Sequence, residues 1–176
     1  MVDVQQAFEN VRWGKRNNLF AETNIAGLIT AWRATSRPLI HIQHRSSSPD
    51  GLFRPGHPGF EFKQEAQPQP GERVIQKTVN SAFIGTDLEG YLRQSAIEHL
   101  VIVGITTDHC VSTTARMAGN LGFDTYVVSD ATATFDRRGP GGLYFTAQQM
   151  HDTALASLSG EFATVLESPE VLKRVS

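Results

Sequence analysis

A single cysteine among 176 residues rules out an internal disulfide, and a chain without one suits a reducing compartment. No apolar stretch approaches the ~20 residues needed to span a bilayer. No leader with a charged start, an apolar middle and a small-residue cleavage site is found, which predicts a cytoplasmic protein. Neither sign of charge is in excess, with 16 Lys and Arg against 18 Asp and Glu and a net charge of -2. A nucleic-acid or membrane partner is therefore not expected. Hydrophobic residues make up 40% of the chain. At this length that is enough for one globular domain over 1–176 with a substantial core.

Apolar runs and helical patterns alternate along the chain. Strands are predicted at 1–5, 38–43, 73–77, 99–105, 124–129 and 162–166. Helices are predicted at 19–35, 88–95, 111–121 and 145–158, and a short one follows Ser168-Pro169, where proline suits a first helical turn. In the first helix Leu19, Ile25, Leu28, Ile29 and Trp32 recur near helical spacing, with Asn17 and Asn18 as candidate caps. Segment 1–5 reads as the tail of a strand whose first half is missing. Segment 44–72 carries five of the eight prolines; a connection that long inside a domain reads as an ordered lid. Segment 131–142 reads as a polar loop. Its Gly139-Pro-Gly-Gly142 lacks the Lys-Ser/Thr ending of a phosphate loop.

Such alternation predicts an α/β fold, a parallel sheet with helices on both faces. Ligands of such sheets bind outside the carboxyl ends of the strands. Asp3, Lys77 and the Thr106–Cys110 turn all fall at such ends, so three reactive groups converge on one edge. Cys110 lies between a strand and a helix, where unpaired N–H groups and the helix dipole favour thiolate over thiol. A carboxylate beside it accepts the thiol proton, and an ammonium steadies both charges. Thiolate attack on a carbonyl, protonation of the departing nitrogen by Asp3 and hydrolysis of the thioester complete a C–N cleavage. Backbone N–H groups of Thr106 and Cys110 are placed to hold the oxyanion.

Three blocks, Asp3-Val-Gln-x-x-Phe8, Lys77-x-x-x-Ser81-Ala-Phe83 and Gly104-Ile-Thr-Thr-Asp-His-Cys-Val111, together resemble the isochorismatase-like cysteine hydrolases. The stretches Ser129–Asp136 and His151–Leu158 are similar to the same family. The resemblance implies a three-layer α/β/α fold with a six-stranded parallel sheet in the order 3-2-1-4-5-6. It also implies an Asp3-Lys77-Cys110 triad, a cis peptide at Ile105–Thr106, and a homodimer or larger homo-oligomer. The lid, with Pro55-Gly-His-Pro-Gly59, most resembles amidohydrolase members that include streptothricin hydrolase.

Two departures narrow the activity. Nicotinamidase-like members bind a metal through Asp-x-His, whereas this chain reads His41-Ile-Gln-His44. Two histidines at that spacing point to opposite faces of a strand, so neither metal nor other cofactor is expected. Isochorismatases proper protonate a vinyl ether and need no cysteine, so Cys110 favours hydrolysis of a small amide-type bond. A vinyl ether hydrolase using Asp3 as general acid and a non-catalytic small-molecule-binding member are the alternatives. Phe8, Phe83, His109 and Tyr144 are the candidate substrate-binding residues. Trp13 is a further pocket-wall candidate and His57 a possible substrate contact in the lid. His109 is read as pocket wall rather than as a general base.

Overall fold

Runs of β-branched residues form strands and the periodic segments between them form helices, in a computed structural model that describes residues 1–175. In chain order these are α1 (Ala21–Ala34), β1 (Ile40–His44), β2 (Arg73–Lys77), α2 (Leu88–Gln94), β3 (His99–Ile105), α3 (Ser112–Asn120) and β4 (Asp124–Ala133). They are followed by β5 (Arg137–Arg138), β6 (Tyr144–Phe145), α4 (Ala147–Leu158), β7 (Thr164–Leu166) and α5 (Ser168–Val175). Among the described residues no helix is long and apolar enough to cross a membrane.

The strands pair in parallel as β1-β2 and as β3-β4-β7, with β5-β6 a separate antiparallel hairpin. Segment 1–5, expected as the tail of a strand, contributes only bridges to the parallel sheets: Val2 pairs in parallel with both Ile42 and Gly104. Its N–H donates to Val103 O at 2.8 Å and its carbonyl accepts from Ile105 N at 3.0 Å. The chain then leaves the sheet, because Asp3 turns into the left-handed region at φ 52. Aspartate tolerates that conformation better than most residues. Neighbouring strand residues face opposite ways, and the core divides accordingly. Ile102 and Val127 pack with Leu88, Leu92, Ala115, Ala118 and Leu158 on one face. Val103 and Val128 pack with Ile25, Leu28, Ile29 and Val171 on the other.

Several boundaries differ from expectation. Asn17 and Asn18 do not cap α1, which starts later, at Ala21; Leu19 and Phe20 are exposed. β4 continues through residues expected to be loop, because its register with β3 shifts between Ile102 and Gly104 and pairing then resumes at Thr132 and Ala133. The shift frees carbonyls of β4. Asn18 Nδ2 donates to Ser129 O at 2.9 Å and Thr132 O at 2.7 Å, and Asn24 Nδ2 donates to Asp130 O at 2.8 Å. Asp130 also accepts from the Ser168 N–H at 2.8 Å and from its hydroxyl at 2.6 Å, fixing the start of α5. Asn18→Ala removes the amide donor from both carbonyls, leaving Ser129 O only the Thr132 hydroxyl, and places alanine at φ 43. A loss of about 3 kcal/mol in urea-unfolding stability is expected; a loss below about 1 kcal/mol would show that water replaces the amide.

Candidate active site

The parallel register sets His44 opposite Lys77 at the carboxyl ends of β1 and β2. Val2, held between β1 and β3, delivers Asp3 to the same edge. Lys77 Nζ lies 2.6 Å from Asp3 Oδ2, and both side chains are essentially inaccessible to solvent. Lys77 Nζ also lies 3.2 Å from His44 Nδ1 and donates to Val79 O at 3.1 Å. Cys110 sits in a π-helical turn, Thr107–Val111, that leads directly into α3. A carboxylate oxygen of Asp3, a ring nitrogen of His44 and Cys110 Sγ lie within 4.8 Å of one another. The structure thus brings Asp3, Lys77 and Cys110 into one cluster, and adds His44 and Asn80, whose Oδ1 accepts from Cys110 Sγ at 3.8 Å.

The thiol behaves differently from the sequence-based expectation. Burial, and next the neighbouring Asp3 carboxylate, push Cys110 up to about 12 against the opposing pull of Lys77. The helix N-terminus does not prevail here, because the sulfur lies within the preceding turn, partly buried and beside the Asp3 carboxylate. The resting group is a thiol. Burial likewise holds the Asp3 carboxyl above its ordinary value, although Lys77 opposes the rise. His44 is held below the usual imidazole value, first by burial and then by Lys77.

The Cys110 turn is fixed on two sides. Thr107 Oγ1 lies 2.9 Å from Nδ1 of the buried His151 on α4. Asp108 accepts from Arg137 Nε at 2.8 Å and from the Thr134 hydroxyl. Burial would raise Asp108, but those bonds outweigh it and hold its carboxyl below the usual range. The Ile105–Thr106 peptide entering this turn is cis. Gly104, just before it, has φ +135, and a Cβ there would lie 1.9 Å from Val2 O.

The four candidate substrate-binding residues separate. Phe8 joins Trp13, Phe53 and Phe135 in an aromatic cluster that also packs on Ile105. Phe53, from the 44–72 connection, meets His44 edge-on at 5.2 Å. His109 is partly exposed and leans toward Asp108 and Arg137. Phe83 stacks on Phe123 instead of joining the aromatic cluster. Tyr144 is 54% exposed on β6, with its hydroxyl bonded to Asp136. His57 turns inward on its own loop, where Nδ1 accepts from Gly59 N at 2.9 Å.

Gln5 was not singled out from the sequence, yet its side chain ties the site to the connection. Its Nε2 donates to His44 O and Phe60 O, and its Oε1 accepts from His44 N. His41 points away from the site and pairs with Glu72 at 2.7 Å. Asp3, His44 and Cys110 offer ligand atoms close enough to share a cation. Lys77 already lies against both Asp3 and His44, and supplies the positive charge that a cation would bring.

A parallel α/β sheet with this Asp, Lys and Cys cluster at its carboxyl edge defines the class, and the isochorismatase domain model matches residues 1–170. The chain belongs to the isochorismatase family of hydrolases. It is 49% identical over 172 residues to the uncharacterized isochorismatase family protein YrdC of Bacillus subtilis, covering 98% of this chain and 92% of that protein. An isochorismatase-family structure from Chromobacterium violaceum superimposes with a TM-score of 0.97 at 46% identity, covering 99% of this chain and 90% of that one. Streptothricin hydrolase of Streptomyces noursei is 29% identical across 93% of this chain and 56% of its own length.

Proposed function

We propose that the protein is a metal-independent cysteine hydrolase that cleaves a small amide-type C–N bond through a thioester on Cys110. The observation that carries this reading is the buried Asp3–Lys77 pair beside the only thiol of the chain. In the proposed cycle Asp3 accepts the Cys110 proton as the thiolate attacks, then passes it to the departing nitrogen. Asp3 next activates the water that releases the acid. The backbone N–H groups of Thr106 and Cys110 hold the oxyanion at each attack. The high resting value of the thiol means that proton transfer accompanies substrate binding, when the charge on Asp3 and the ammonium of Lys77 act without competing water.

Phe8, with its aromatic neighbours, and His109 are the substrate-facing residues in this reading; Phe83 and Tyr144 contribute through the walls behind them. Segment 44–72 is its lid, within one domain over 1–176. The two parallel sheets joined at Val2 are read as a single six-stranded sheet in the order 3-2-1-4-5-6. A cytoplasmic homodimer or larger homo-oligomer fits the lone cysteine and the exposed apolar Val11, Leu19, Phe20 and Leu143.

Ammonia release from a panel of small amides, ureido compounds and lactams tests the reading. At least one is expected to be turned over, with mass spectrometry of the acid-quenched enzyme showing an acyl adduct on Cys110. Turnover with no adduct on Cys110 under rapid quenching would sink the thioester route.

A further inference from the structure

Lys77 Nζ meets three acceptors: Asp3 Oδ2 at 2.6 Å, Val79 O at 3.1 Å and His44 Nδ1 at 3.2 Å. An ammonium has three N–H donors; two are given to Val79 O and His44 Nδ1, while Asp3 holds the same nitrogen as an ion pair. Cys110 is a fourth claimant, since its sulfur lies within 4.8 Å of ligand atoms of Asp3 and His44, both of which Lys77 contacts. In the resting state the thiol instead donates to Asn80 Oδ1. When its proton passes to Asp3, the S–H bond breaks and an O–H bond forms. The negative charge moves from carboxylate to sulfur, and a donor must follow it.

Of the three Lys77 bonds, the one to His44 is the longest, and its acceptor is an uncharged ring. Asp3 remains an acceptor after protonation, and the Val79 carbonyl lies only two residues along the chain. We propose that His44 is a positioning residue that holds one Lys77 N–H in reserve and releases it to the Cys110 sulfur when the thiolate forms. Asp3, Lys77 and Cys110 face His44 from three separate elements, and the ring of Phe53 closes its fourth side. Burial and Lys77 keep the imidazole neutral near pH 7, which leaves Nδ1 able to accept. The inference rests on Cys110 being the nucleophile and adds a role for a residue outside the triad.

The test is the ionisation of Cys110, followed by thiolate absorbance near 240 nm with the Cys110→Ala protein as background. His44→Phe keeps a ring against Phe53 and removes the acceptor. His44→Asn restores an acceptor oxygen near the position of Nδ1. Without a competing acceptor the Lys77 N–H is available to sulfur from the outset. The pH at which a tenth of the thiol is ionised is therefore expected to fall by about one unit in His44→Phe, roughly a tenfold rise in thiolate at fixed pH. His44→Asn should return it to the wild-type value.

No fall in His44→Phe, or a fall that His44→Asn does not reverse, overturns the proposal. Greater exposure of the sulfur alone would speed alkylation by iodoacetamide without being reversed in the asparagine variant. Should His44→Phe fail to fold, His44→Ala gives the same reading. The measurement needs no substrate, so its outcome is separate from that of the hydrolase reading, which fails if Cys110→Ala keeps its amide turnover.

Discussion

Cys110→Ala is expected to reduce amide turnover by at least about 10⁴-fold while leaving the protein folded. Removal of a nucleophile costs as much as removal of the whole catalytic unit, because the remaining groups have nothing to activate. The loss of one partly buried sulfur should cost only about 1 kcal/mol of stability. Paired with Asp3→Asn, this variant separates the two chemistries open to the family. In amide hydrolysis both substitutions abolish turnover: one removes the attacking atom and the other the proton carrier. In vinyl ether cleavage Asp3 alone is needed as an acid, so Cys110→Ala would retain most activity and Asp3→Asn would not. Steady-state rates of the two variants on the same substrate, with circular dichroism to confirm folding, decide between them. Asparagine keeps an acceptor for Lys77, which limits the structural damage of losing a buried charge partner.

Gly104→Ala is expected to produce the largest loss of stability of any single methyl addition in the fold. The added Cβ would lie 1.9 Å from Val2 O and 2.8 Å from Val2 N and C, and all three of those atoms are backbone. No rotamer change relieves the contact, and φ +135 is a further strain for alanine. Val2 must move off β3 and give up its bonds with Val103 and Ile105. Because Asp3 follows directly, it moves too. A loss of about 4 kcal/mol, or roughly 10 °C in Tm for a protein of this size, should accompany near-complete loss of turnover. A Gly104→Ala protein with wild-type Tm and wild-type rate would show that the Val2 bridge is not what places Asp3.

The parts of the fold that were readable in the sequence are those set by local pattern. The apolar run at 99–105 forms β3 over the same residues, and β2 also matches its expected bounds. The α1 start was misread because Leu19 and Phe20 continue a helical spacing while facing solvent, and because Asn17 and Asn18 look like caps. The Asn18 amide goes to β4 and the Asn17 amide to Thr134 just beyond it, pairings more than a hundred residues away. The two-residue strands β5 and β6 carry no periodicity at all. In the candidate site, the convergence of Asp3, Lys77 and Cys110 on one edge was readable from their positions at strand ends. His44 was set aside as a poor metal ligand, since its alignment with Lys77 exists only through the β1–β2 register. The direction of the thiol shift was equally hidden. It depends on burial by distant segments, which outweighs the local dipole.

Gln5 joins the carboxyl end of β1 to Phe60, while Gln6 N and Val4 O bond to Glu61 and Lys63 on the same connection. Asp3 is thus the short link between a segment anchored in the sheet and a segment stitched to the 44–72 connection. In the proposed reading, where that connection is a lid and Asp3 the proton carrier, any swing of the lid would pull on Val4 and Gln5 and through them on the Asp3 backbone, so that substrate access and proton transfer would share one mechanical linkage. An enzyme wired this way would not hold its base in register while the lid is drawn back, so a reactive thiolate would arise only behind a closed door.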